Sequence, residues 1–294
     1  MDDRLEALKE HAAARYERLE ESKAVGPLVN ATKRFFEIEG LDLAGLLALE
    51  LFTTIIPLVL LGYSWASGFN SHLNFGDFMI KWMELKGQSA AIVHDLFGDS
   101  ARLKDTWTFL GIAGFLFWGV PMSAQVAKTF ARAFRRERWS FMVEVGRGTL
   151  WFGVLLASQI GTVVIGNQVA GKPPLNVLGW LPSFVLWSVS PLVLVRNGTN
   201  GWKHMIWCGL AGVVLDLIGV RITLRWVFPK LLEGWVGFGP IGVAMAMMTT
   251  CTVIAALWVI TACLGAVLWE RNAPADTVIN SQYEPMPGEA AARK

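Results

Sequence analysis

Charge is scarce in this chain. Only 17% of its 294 residues are Asp, Glu, Lys or Arg, against about a quarter in ordinary soluble domains. Hydrophobic residues make up 53% and mean hydropathy is +0.43, which marks an integral membrane protein. Cysteine is nearly absent. Cys208, Cys251 and Cys263 all fall in apolar runs, so they read as small packing residues and leave no disulfide framework or cysteine metal site. The four histidines, His11, His72, His94 and His204, are scattered without metal-ligand spacing. The sequence has no H-E-x-x-H, no C-x-x-C, no G-x-x-x-x-G-K-[ST] loop and no G-x-S-x-G elbow. The chemistries those motifs carry are excluded, and the expectation is a protein that is not an enzyme, with no metal and no cofactor. An apolar leader is lacking too. The first residues, MDDRLEALKEHAAARYERLEESK, are highly charged, so an uncleaved amino terminus held in the cytoplasm is expected.

Long apolar runs are abundant. A helical span needs about 20 mostly apolar residues, and six runs qualify, at about 43–66, 106–127, 149–170, 175–195, 204–224 and 240–269. None alternates with the period of a barrel strand, which leaves helices as the way to satisfy the backbone in lipid. The expected fold class is all-α: a polytopic membrane protein of six transmembrane helices with interfacial helices.

Basic residues accumulate in short cytoplasmic loops. Arg4, Lys9, Arg15, Arg18, Lys23, Lys33 and Arg34 precede the first run, Lys128, Arg132, Arg135, Arg136, Arg138 and Arg147 follow the second, and Arg196 and Lys203 follow the fourth. The connection after the third has only Lys172. Six spans with both termini inside a cytoplasmic membrane fit this pattern. Residues 1–27 form a cytoplasmic amphipathic segment, with Leu5, Leu8, Ala12, Tyr16 and Leu19 on one stripe, 28–272 form the membrane domain, and 273–294 form a polar, disordered tail. Two segments on the outer side, FGDFMIKWMELKGQSAAIVHDLFGDSARLKD and RWVFPKLLEGWVGFGP, read as interfacial caps.

Polar groups inside the runs are the functional candidates, since a charge at the bilayer centre costs roughly 2.5 to 3.5 kcal/mol on insertion scales and turns inward. Glu50 heads the list. At about 100° per residue, Glu50, Thr53, Thr54, Pro57 and Ser64 share one face of the first helix. Glu50 either lines a cavity or is a protonated group bonded to a neighbouring helix. In the fifth run, Gly209, Gly212, Asp216, Gly219 and Thr223 fall on one face, while Arg221 and Arg225 fall on another. Arg221 is free to meet an anionic group, and Arg225 sits at the outer interface. Gln159 and Thr162 in the third run, with Asn167 near, and Thr249, Thr250 and Thr252 in the sixth add polar positions. The substrate-pathway candidates are therefore Glu50, Thr53, Thr54, Pro57, Gln159, Asp216, Arg221 and Thr250. Arg132, Arg135, Arg136 and Arg225 are candidates for lipid head-group contact, worth about 1 kcal/mol per basic residue near the surface.

The order of ALELFTTIIPLVLL, ARAFRRERW, VVLDLIG, FGPIGVAMAMM and ACLGAVLWE resembles the YihY/BrkB family of bacterial inner-membrane proteins, with a YhjD-like branch the most similar, over about residues 28–272. The resemblance implies a six-helix membrane domain and an acidic residue at Asp216. Relatives close on a G-A-E turn, whereas Gly265 and Ala266 here precede Val267. The family has carried a ribonuclease label. This sequence has no carboxylate cluster for two-metal chemistry and no soluble nucleic-acid-binding domain, so no nucleic-acid partner is expected. The family's links to envelope integrity, serum resistance and lipid export imply a transporter, flippase or exporter of an envelope lipid or glycolipid, with membrane lipids as partners and a homo-oligomer left open. A non-transporting scaffold and a small-solute transporter are the alternatives.

Overall fold

The structure is a computed structural model that describes residues 22, 25–69, 77, 80, 85–97, 113–169, 175–196 and 202–272. The expected amphipathic helix at 5–19, the tail at 273–294, most of FGDFMIKWMELK and the start of the 106–127 run lie outside the described residues, as do the side chains of Ser64 and Asn167. Among the described residues every regular element is helical. Among the described residues, four segments are long and apolar enough to cross a membrane: Phe141–Thr162, Val177–Leu194, Trp202–Gly234 and Ile241–Asn272. The run at 43–66 lies within a further helix, Gly40–Phe69, whose side chains from 58 onward are not described.

Helix α1 (Gly26–Glu37) carries Pro27 in its first turn, where the missing N–H costs nothing. Glu39 ends it with φ of 58°. Gly40 then opens α2 (Gly40–Phe69), where any Cβ would strike the Phe35 ring and carbonyl. Pro57 lies inside α2 and is accommodated because Gly114, at the start of the next long helix, offers no Cβ to meet it. A short helix, α3 (Gln88–Phe97), follows. A π-helical turn, Phe115–Gly119, leads into α4 (Val120–Ala133), and α5 (Phe141–Val169) runs back alongside it. A 3-10 turn, Leu175–Trp180, opens α6 (Leu181–Leu194). Next come α7 (Ile206–Leu215), two π-helical segments at Asp216–Val220 and Thr223–Val227, and α8 (Phe228–Gly234). The last helix is α9 (Pro240–Asn272).

Helix α9 is the axis of the bundle. It packs along α2, α7, α1 and α4, and its buried positions Ala246, Cys251, Ala255, Val259, Ala262, Cys263 and Ala266 recur at helical spacing. Small side chains let neighbouring backbones approach closely, the main source of packing energy where lipid is as apolar as the core. Gly265 abuts Cys208, which fixes the start of α7 beside the end of α9. Larger residues fill the gaps as an aromatic chain. Trp151 meets Trp258 at 6.0 Å, Trp258 meets Trp187 at 6.0 Å, Trp187 stacks on Phe130 at 6.3 Å, and Phe134 reaches Trp269 at 5.7 Å.

The two ends of the bundle differ in chemistry. One end gathers α1, the turn after α4 and the end of α9, and is rich in arginine. At the other end Leu85, Val93, Phe228, Leu232, Val243 and Ala246 form a separate apolar cluster, and the Ser89 hydroxyl donates to Glu233 at 3.0 Å. The two expected interfacial caps thus pack on one another through α3 and α8.

Candidate functional site

Helix α7 presents Gly209 and Gly212 to α6. A Cβ at Gly209 would overlap Ser188, and one at Gly212 would overlap the Trp187 ring. This close approach carries Asp216, one turn further on, to the same neighbour. Ser183 donates its hydroxyl to Asp216 Oδ2, and Trp187 Nε1 donates to the same oxygen at 2.7 Å. Ser183 and Trp187 are four residues apart, so both lie on one face of α6. The carboxylate stands where α-helical pairing gives way to the π-helical segment Asp216–Val220. Such widened turns are frequent at functional sites, because the inserted residue shifts register and frees local backbone groups.

The helix that carries Asp216 meets two neighbours along this face. Gly219 abuts Leu257 of α9, and Thr223 is buried with its hydroxyl on the Gly219 carbonyl.

Glu50 lies ten residues into α2 and Asp216 ten residues beyond the first residue of α7. At 1.5 Å per residue each carboxyl sits about 15 Å along its helix from that helix's first residue. The two acids stand on different helices. Glu50 is half-buried and has no hydrogen-bond or ion-pair partner among the described residues. Next to it, Thr53 donates to the Leu49 and Glu50 carbonyls. Thr54 is fully buried, and its hydroxyl has no partner among the described residues. An unbonded buried hydroxyl costs about 1–3 kcal/mol.

Several expected residues are exposed or bond only their own helix. Gln159 is exposed on the outside of α5. Thr250 is buried in α9 but bonds the Ala246 carbonyl of its own helix, as Thr249 and Thr252 bond theirs. These hydroxyls are satisfied by their own backbones and hold nothing else. Arg221 and Arg225 are exposed, and neither pairs with Asp216 among the described residues. Pro57 is spent on packing against Gly114.

The basic loop residues are embedded in a network at the arginine-rich end. Arg34, with 6% of its side chain exposed, grips Glu270 with two bonds of 3.1 and 2.8 Å and donates to the Ala133 carbonyl at 2.6 Å. Arg135 pairs with Glu37 at 2.7 Å, Arg132 with Glu39 at 3.5 Å, and Arg196 with Glu137 at 2.5 Å. Arg136 is buried, and its guanidinium lies 5.7 Å from the Trp269 ring centroid. Burial lowers its pKa and nearby Glu270 opposes this, but a guanidinium stays charged throughout. The head-group contact expected of Arg136 is thus corrected: its side chain is taken up inside the protein, leaving Arg132 and Arg135 nearer the surface. Arg138 seals a further carboxylate, holding buried Glu144 at 2.7 Å.

Ser183 and Trp187 are the partners of Asp216 that sequence reasoning missed. The signal was in LPSFVLW, a serine and a tryptophan at helical spacing inside an apolar span. No protein-family model matches the chain, and neither a curated protein nor a solved structure does.

Proposed function

We propose that the chain is a six-span inner-membrane transporter or flippase that moves an amphiphilic envelope lipid or glycolipid, with Glu50 and Asp216 lining its pathway. The observation that carries this reading is the Asp216 carboxylate, held inside an apolar helix pair by Ser183 and Trp187 of α6. A bundle that needed only packing would be as stable with an apolar residue there, since replacing buried ionic groups by hydrophobic ones is often neutral or stabilising. Membrane-embedded acids mark substrate paths and proton relays, so the reading includes proton coupling through the two carboxyls. In this reading the arginine-rich end is cytoplasmic by the distribution of basic residues, both termini are cytoplasmic, and the packed caps α3 and α8 gate release on the outer side. The resemblance to the YihY/BrkB family supports the cargo class.

The test is complementation of a deletion strain with Glu50→Gln and Asp216→Asn proteins shown to be folded and inserted. Loss of function in both supports the pathway. Full complementation by both, together with failure of a protein lacking residues 1–25, points instead to a scaffold that organises envelope enzymes.

A further inference from the structure

The Trp202–Gly234 segment, long and apolar enough to cross a membrane, carries an unbroken apolar row on its outside. Ile206, Leu210, Val214, Ile218, Ile222 and Trp226 are all exposed, each four residues from the last. On a spanning helix such a row faces lipid. Aromatic and basic residues mark both of its ends, as they do at membrane boundaries. Trp202 and Lys203 lie together at one end, the ammonium 5.9 Å from the indole ring centroid, and exposed Arg225 and Trp226 lie at the other. From Trp202 to Trp226 the helix runs about 36 Å at 1.5 Å per residue. That length suits a hydrocarbon core of about 30 Å and its two boundaries.

Arg221 and Arg225 border the row at its second end. Both are exposed, and four residues apart they share a face. Neither has an ion pair or a hydrogen-bond partner for its side chain among the described residues. Between Asp216 and Glu233 the chain carries Arg221, Arg225 and Lys230 and no acid. The flanking acids are engaged elsewhere, Asp216 by Ser183 and Trp187, and Glu233 by Ser89.

We infer that Arg221 and Arg225 form a binding site for the phosphate group of an anionic membrane lipid, on the lipid-facing side of the helix that carries Asp216. Charge complementarity names the ligand. A guanidinium one turn inside the boundary, beside exposed Ile218 and Ile222, is costly without a counter-ion. The phosphodiester of a lipid in the same leaflet supplies one. Two planar forks one turn apart donate to phosphoryl oxygens in the bidentate way that a lone ammonium cannot match. The apolar row beneath them offers an acyl chain a bed, so one helix face meets both parts of an amphiphile.

The site adjoins the embedded acid through the backbone. The Arg221 N–H donates to the Asp216 carbonyl and closes the widened turn. A head group held here therefore stands one turn from that carboxylate, on the outside of the bundle. The inference rests on this segment spanning the membrane and does not require transport.

The test uses the full chain in phosphatidylcholine nanodiscs titrated with phosphatidylglycerol, with bound lipid counted by native mass spectrometry. Wild type should retain phosphatidylglycerol saturably. Arg221→Gln and Arg225→Gln should each weaken retention at least about tenfold, the loss of one charge-assisted fork. Both side chains are exposed and unpaired among the described residues, so folding should be little affected, and a thermal melt checks this. The double variant Arg221→Lys with Arg225→Lys keeps the charge but not the forks and should weaken retention as well. Arg196→Gln, at the other end of the bundle, should leave it unchanged. The inference is overturned if wild type shows no preference for phosphatidylglycerol, if the double lysine variant binds as wild type does, or if Arg196→Gln is as damaging as Arg221→Gln. Displacement of the lipid by inorganic phosphate would also overturn it, by placing the ligand in water. Retention at this site should follow the arginines and be indifferent to Glu50→Gln and Asp216→Asn, so the pathway reading stands or falls separately.

Discussion

Trp187 Nε1 donates to Asp216 Oδ2 at 2.7 Å, and the same indole ring stacks on Phe130 and meets Trp258 edge-on. One residue therefore ties the embedded carboxylate to the aromatic chain that joins α4, α6 and α9.

Trp187→Phe keeps most of the ring and removes the donor. Leaving a buried acceptor without a donor costs about 1–3 kcal/mol, so function should fall about tenfold while the protein still inserts. Complementation measured beside membrane abundance checks this. Ser183→Ala should act in the same direction, and the double variant should be less than additive, because both donors serve one oxygen.

Gly212→Leu drives a side chain into the Trp187 ring. Overpacking of this kind costs typically about 1–3 kcal/mol, and it separates α6 from α7 at the level of the site. A lowered melting temperature and lost function are expected together. Gly153→Leu, on α5 with open space around it, should change neither.

How far the sequence revealed these features depended on which property carried them. Glu50 and Asp216 were visible because a carboxylate among apolar residues stands out against the cost of burying it. The small-residue stripe at Gly209 and Gly212 was visible for the same reason of contrast, and the structure places it against α6. The π-helical turns were not legible, because helical spacing assumes 3.6 residues per turn and no residue in VLDLIGVRITLRW announces a widened one. The fate of Thr249, Thr250 and Thr252 was hidden similarly. A threonine in a helix can bond another element or its own i−4 carbonyl, and only coordinates distinguish the two. The pairing of Arg34 with Glu270 joins residues 236 apart, a separation that no local pattern encodes.

Arg34→Ala leaves Glu270 without its fork and the Ala133 carbonyl without its donor. Removing one partner of a buried pair costs about 3–5 kcal/mol, and the partial exposure of Glu270 places this case near the lower figure. A marked fall in detergent melting temperature is expected. Glu270→Gln, which preserves a hydrogen-bond acceptor, should cost less.

Arg135→Gly exchanges a pair with Glu37 for a relaxed backbone. The exposed pair is worth about 0.2–1 kcal/mol, close to the cost of left-handed φ that glycine removes. The melting temperature should therefore stay near that of wild type. A large fall would show that Arg135 holds the end of α4 to α1.

The most direct measurement is native mass spectrometry with lipidomics on protein taken from its membrane in nanodiscs, comparing wild type with Glu50→Gln and Asp216→Asn. The account predicts a specific amphiphile enriched on wild type and lost from both variants. Enrichment that is absent from wild type, or indifferent to both acids, would contradict it.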